Sequence, residues 1–180
     1  PDDFIYHLKN AGFTHLGCYN NHVLDFGKEA HKRTKEIISS YGISVLSQNT
    51  SINEDINISC ATTHINNAPD DIFTYSEKVI KKPINIMYIH WGGQYNLLKN
   101  YDQIYHTDKL INLGYNIIIG SGPHVVQEVS EKNNIICANS LGDFFSSHQN
   151  KIAKNEGMIL QLNTDEFKFT TYYTKTINNK

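Results

Sequence analysis

Ile84-Asn85-Ile86-Met87-Tyr88-Ile89-His90-Trp91-Gly92-Gly93 is the stretch on which the fold turns. Apolar residues run almost without a break from Ile84 to Ile89, which is short for a buried helix and too continuous for a strand with one wet face. The pattern predicts a strand covered on both sides, as in a parallel sheet. It ends at His90, the only tryptophan and two glycines, a strand end that a backbone or a ligand approaches closely.

Working outward, Tyr101, Ile104, Tyr105 and Ile111 give one face of a helix that stops at Gly114. Tyr115 to Ile119 predicts a second buried strand ending at Gly120, and Ile135 to Ala138 a third running into Asn139-Ser140-Leu141-Gly142. Upstream, Pro1-Asp2-Asp3 reads as a helix start, with Phe4, Leu8 and Ala11 on one face and Gly12 as the stop. Residues 13–19 are expected as a strand, 28–41 as a helix and 43–46 as a strand. Between 47 and 83 the pattern is weaker: Ile56 to Cys60 alternates like a strand, and a helix is expected over 71–82. The tail, 157–163 and 166–174, predicts a hairpin around Thr164-Asp165. Alternating strands and helices imply an α/β fold with a largely parallel sheet, finished by antiparallel strands. A chain of 180 residues suits one domain, 1–180.

Composition narrows the function classes. An apolar share of 39% and a charged share of 19% are those of a folded globular chain. A net charge of -2 offers no footprint for nucleic acid, and Lys81-Lys82 reads as a solvated helix end. Cys18, Cys60 and Cys137 form no CxxC pair, so no zinc knuckle or disulfide framework is indicated, and a reducing compartment is favoured. No stretch approaches the roughly 20 apolar residues that span a bilayer. The chain opens at Pro1 without a methionine, and an upstream segment carrying any anchor or signal is expected to be missing.

Polar, glycine-flanked clusters follow the ends of successive expected strands, and the ligand sites of open α/β sheets gather at that edge. Asn20-Asn21-His22 with Asp25 offers an amide oxygen and an imidazole as metal donors, with Asp25 able to hold the imidazole tautomer; equally, Asn-Asn makes a turn and Asp25 caps the next helix. His90 beside Gly92-Gly93 is either a site residue or a satisfied histidine under Trp91. Gly120-Ser121-Gly122-Pro123-His124 could project His124 into a site and turn backbone N–H groups toward an anion, without the P-loop pattern. In Asn139-Ser140-Leu141-Gly142-Asp143, Ser140 lacks the GxSxG context of a hydrolase elbow.

Taken in order, these clusters resemble the CapA family of poly-γ-glutamate capsule proteins, of the metallophosphatase (calcineurin-like) superfamily. That family reads L-x-x-A-G-F, N-N-H-x-x-D-x-G, H-W-G-x-E-Y, G-x-x-P-H-V and S-L-G-N-F. Here stand Leu8 with Ala11-Gly12-Phe13, Asn20-Asn21-His22 with Asp25 and Gly27, His90-Trp91-Gly92 with Tyr95, Gly120 with Pro123-His124-Val125, and Ser140-Leu141-Gly142. The resemblance runs from about residue 4 to 145 and implies a metallophosphatase-like α/β/β/α sandwich lacking its first strand or strands. It implies Asn21, His90 and His124 as ligands of a divalent transition metal (Mn, Fe or Zn), with His22, partnered by Asp25, as general acid or oxyanion stabiliser. It implies capsule or exopolymer biosynthesis, an anionic polymer or phosphoester as substrate, and the capsule-synthesis machinery as partner. The cell envelope is the implied location if an upstream anchor exists, and otherwise the cytoplasm.

The departures bear on activity. The family's Gly-Asp metal-ligand strand and Asn-x-Glu segment have no counterpart, Gln94 replaces Glu, Ser121-Gly122 stand where many members carry a histidine, and Asp143 replaces Asn. Neutral donors offset two divalent charges poorly, so the expectation is weak metal binding or a single site. The contrasting expectation is a degenerate, non-catalytic module that binds a polymer or partner in the same cleft.

Overall fold

The computed structural model describes residues 3–64, 75, 79–144 and 156–175. In chain order the elements are α1 (Phe4–Asn10), β1 (His15–Leu16), α2 (Gly27–Ser40), β2 (Ser44–Val45), β3 (Thr50–Ser51), β4 (Ile56–Thr62) and β5 (Ile84–His90), then α3 (Tyr101–Leu113), β6 (Ile117–Ser121), β7 (Val129–Lys132), β8 (Ile135–Ala138), β9 (Glu156–Asn163) and β10 (Lys168–Lys175). A six-stranded sheet runs β3-β4-β5-β6-β8-β7. Its four inner strands are parallel, and the two edge strands pair antiparallel to their neighbours. β1 and β2 make a small parallel pair, and β9 and β10 the expected hairpin.

The alternation of β5 distributes the core. Met87, Ile89 and Trp91 point to one face, where Leu110 of α3, Tyr115, Ile118 and Cys137 complete a buried cluster. Ile84 and Ile86 point to the other, where Ile117 and Ile136 are covered by Leu162, Phe167 and Phe169 of the hairpin. Helix on one side and antiparallel strands on the other give β5 its two dry faces. This is the mixed α/β sandwich, finished by C-terminal antiparallel strands, that the sequence pattern implies.

Several boundaries differ from expectation. Of residues 13–19, only His15–Leu16 pair, because β2 offers just two partners before the chain turns at Asn20. The strand expected from Tyr115 starts at Ile117: Tyr115 donates its N–H to Leu110 O, completing the end of α3, and its hydroxyl to Ser59 Oγ at 2.8 Å. In the helix expected over 71–82, residues 71–74 and 76–78 lie outside the described residues, while Tyr75 and residues 79–82 are not helical. Lys82 is therefore no helix end; its ammonium binds Ser51 Oγ and the Asn53 carbonyl. Cys60 and Cys137 are buried and Cys18 is half-buried, and burial pushes all three thiols up, Cys60 to about 12. Among the described residues no helix is long and apolar enough to cross a membrane.

Candidate functional site

At the C-terminal edge of the sheet, on the hairpin side, lies an open cleft of about 580 Å³. β5 delivers Tyr88 and His90, on the same face as Ile84 and Ile86. β6 delivers Ser121, followed by Gly122 and His124; the loop after β1 delivers Tyr19 to His22; and the segment after β8 delivers Leu141 to Phe144. The four clusters thus converge. Asn21, His22, His90 and His124 all line the cleft, and Asp25 stands behind His22.

Each imidazole is held through Nδ1 by an oxygen. His22 Nδ1 is 2.8 Å from Asp25 Oδ2, and His124 Nδ1 is 2.9 Å from Asp143 Oδ1. His90 Nδ1 is 3.3 Å from Ser121 Oγ, whose own proton goes to the Ile89 carbonyl. With the proton on Nδ1 in each ring, Nε2 keeps its lone pair, the arrangement that fixes a metal-binding or proton-accepting histidine. The Nε2 atoms differ in what they meet. That of His22 receives the Asn21 Nδ2 amide at 3.3 Å. This leaves the Asn21 oxygen for a ligand and makes His22 a poorer metal donor than the other two.

Exposure grades the three. His22 and Asp25 stand at the rim, with side chains 71% and 52% exposed, whereas His124 and Asp143 are 35% and 18% exposed. His90 is more enclosed, and burial, aided by repulsion from His64, His124 and His22 when these are protonated, lowers its pKa to about 4.

Asp25 does not cap the following helix: Phe26 holds the N-cap position of α2, with no side-chain cap, and the carboxylate is spent on His22. Gln94 is exposed and away from the cleft, Trp91 is buried with its indole N–H on the Asn139 carbonyl, and Ser140 is buried and accepts from Gly142 N. Ser140 is a turn residue, in line with its sequence context. At Gly122 (φ +114°) a Cβ would stand 2.5 Å from the Trp91 carbonyl and 3.3 Å from His90 Cε1, so the chain passes tightly beside His90 with no side chain there. His124 itself adopts φ +59°, and Tyr95 φ +61°; the two rings lie 5.8 Å apart and Tyr95 N donates to Pro123 O at 2.8 Å. Two non-glycine residues in this costly region, tied to each other, mark a place where the backbone is bent to aim a side chain.

Three participants were not singled out from the sequence. Asp143, noted there only as a departure, orients His124. His64, just past β4, sets its ring edge-on to His90 with centroids 5.3 Å apart. Tyr88 carries a phenol whose pKa burial pushes up, so it presents a neutral hydroxyl. A carboxylate in the fourth cluster was a visible signal for Asp143; His64 lies in the weakly patterned stretch and had none.

The donor set can be tested against the implied metal. His90 and His124 offer neutral nitrogens and Asn21 an amide oxygen, which suits one borderline divalent ion. Among the described residues no three His, Cys, Asp or Glu side chains come together as a metal site. By donor chemistry alone, two imidazoles and an amide match a single ion and lack the anionic donors of a two-ion centre.

Comparison with known proteins bears on this site. A family described as "Bacterial capsule synthesis protein PGA_cap" matches residues 48–148. The "PGA biosynthesis protein CapA" of Bacillus subtilis (strain 168) is 26% identical over 165 residues, covering 76% of this chain and 43% of that protein. The chain therefore spans less than half the length of that curated relative. A solved crystal structure superposes with a TM-score of 0.59 at 14% identity, over 95% of this chain and 70% of the other, a likeness of fold alone.

Proposed function

The chain belongs to the bacterial capsule synthesis protein family PGA_cap, and on that premise we propose that it serves the making of a poly-γ-glutamate capsule or exopolymer, with the histidine cleft as a phosphoester-processing site. One observation carries the reading: three imidazoles on separate segments face one cleft, each with Nδ1 engaged by an oxygen.

In this reading Asn21, His90 and His124 would hold a divalent transition ion (Mn, Fe or Zn). Such an ion, when bound, polarises a phosphoryl oxygen and supplies hydroxide near neutral pH. The chain's own groups do the rest. Asp143 and Ser121 keep the His124 and His90 rings in one tautomer and orientation. His22, held at Nδ1 by Asp25, would exchange a proton with the leaving oxygen at Nε2 once the Asn21 amide leaves that atom, and Tyr88 supplies a neutral hydroxyl donor. The capsule-synthesis machinery is the corresponding partner.

The test is hydrolysis of bis(p-nitrophenyl) phosphate by the purified protein in Mn²⁺, alongside Mn²⁺ titration calorimetry. Expected are turnover in the parent and its loss in His90→Ala, with Mn²⁺ affinity lowered about 10–100-fold in Asp143→Ala. A second reading, a non-catalytic module binding a polymer or partner in the cleft, is favoured by the finding that, among the described residues, no three His, Cys, Asp or Glu side chains are placed to hold one metal ion. Saturable Mn²⁺ binding without turnover in any divalent ion would decide for it.

A further inference from the structure

The cleft has two unlike walls. The polar one carries the histidines, Asn21, Ser121 and Asp143. The apolar part of the lining comes from Leu8, Phe13, Leu141, Phe144 and Met158. Phe13 and Phe144 meet edge to face with centroids 6.5 Å apart, and Phe144 remains 54% exposed at the lip. The apolar surface continues out of the cleft: α1 buries none of its residues, and Phe4, 49% exposed, lies one helical turn from Leu8 on the same face.

Charge points the same way. Among the described residues that line the cleft there is no lysine or arginine, and the two carboxylates beside it, Asp25 and Asp143, are each spent on a histidine. A segment of polyanion would bring several carboxylates into a site with no cationic side chain to receive them, next to aromatic carbon. Single-point anion recognition with an adjoining apolar track is what these walls provide.

We propose that the cleft takes a phosphate ester of an apolar alcohol, with the phosphate at the histidine wall and the chain laid over Phe13 and Phe144 toward Leu8 and Phe4. The proposal rests on the phosphoester reading above and names its substrate class: the ligand is an amphiphile with one anionic head, and not the polymer itself. A pocket of this size, mostly apolar with a few convergent polar groups, is the usual form of a small-molecule site.

The test compares farnesyl phosphate, glycerol 1-phosphate, farnesol and γ-linked tetraglutamate by titration calorimetry on the purified protein in Mn²⁺, below the micelle range of the lipids. Farnesyl phosphate should bind at least about tenfold tighter than glycerol 1-phosphate, the effect of burying a modest stretch of chain. Phe144→Ser and Leu8→Ser, at exposed and half-exposed positions, should each shrink that ratio several-fold, with unchanged circular dichroism certifying the fold. Equal affinity for the two phosphates, farnesol binding as tightly as farnesyl phosphate, or tetraglutamate binding tightest would each overturn the proposal while leaving a phosphate site at the histidines open to the His90→Ala test. If neither phosphate binds and His90→Ala matches the parent, the phosphoester reading itself falls, and this inference with it.

Discussion

His90 concentrates the chemistry of the site in one ring. Its Nδ1 is held by Ser121, its Cε1 lies against the bare backbone of Gly122, and His64 packs on it edge-on. Burial first, and the neighbouring histidines second, hold its pKa at about 4, below the ordinary 6.5. The consequence for stability has a definite sign. Between about pH 6.5 and 4 the unfolded chain carries a proton here that the folded chain refuses, so folding weakens as pH falls through that window. The stabilisation is complete above about pH 6.5, and its loss amounts to something on the order of 3 kcal/mol once pH reaches 4. Metal-free parent protein should therefore show a urea midpoint that drops on acidification from pH 7 to 4.5, and His90→Gln a flatter profile. Parallel profiles would show that His90 is not the titrating group.

At the scale of elements, the strand ends hold the site, and one clasp holds the strand ends. Trp91 leaves β5, buries completely, and donates its indole N–H to the Asn139 carbonyl at 2.9 Å, while Gln103 of α3 donates to the same carbonyl at 3.1 Å. Gly120 of β6 lies beneath this junction: a Cβ there would stand 2.1 Å from Asn139 O and 2.4 Å from Trp91 Nε1. Gly120→Ala must push the two apart, leaving the buried indole N–H unpaired and the carbonyl with Gln103 alone, and should cost about 3 kcal/mol or more in a denaturation titration. A milder change separates the clasp from the helix that supports it. Asn100 caps α3 in a reciprocal box with Gln103, so Asn100→Ala should cost about 1 kcal/mol. These elements also show what the amino-acid pattern makes legible. β5, β8 and α3 were readable because continuous apolar runs and a helical face with a glycine stop are local signals. β7 was missed although Asn133-Asn134, at φ +53° and +59°, is the two-residue turn that joins it to β8. Its sequence, Val-Ser-Glu-Lys, lies at a sheet edge and needs little apolar content, so only the turn could have announced it.

Across the whole molecule, the sheet is closed on one face by α3 and on the other by the β9–β10 hairpin, and the cleft opens where the hairpin side meets the strand ends. Met158 of β9 lines the cleft, so the hairpin is both lid of the core and part of the site wall. Shaving Phe169, partly buried over Ile84, Ile86, Ile117 and Ile136, to Ala should cost about 2 kcal/mol, less than the 3–5 of a fully buried phenylalanine, with cleft binding weakened in parallel. By itself the amino-acid order determined the parallel strand core, the hairpin and the sites of the polar clusters, because apolar periodicity and glycine punctuation are written within a few residues of where they act. It could list Asn21, His22, His90 and His124 as candidates and offer Asp25 as one of two possible roles beside His22, but not the partners of His90 and His124. Only the tertiary structure decided that Asp143 holds His124, that Asp25 turns to His22 and not to a helix cap, that His64 sits against His90, and that Phe13 and Phe144 share their cleft. The His124–Asp143 and His64–His90 pairings join residues 19 and 26 positions apart on separate segments, and their geometry is set by how the strands stack side by side, which no local pattern carries; His22–Asp25 lies within one loop, where the structure only chose between two local readings.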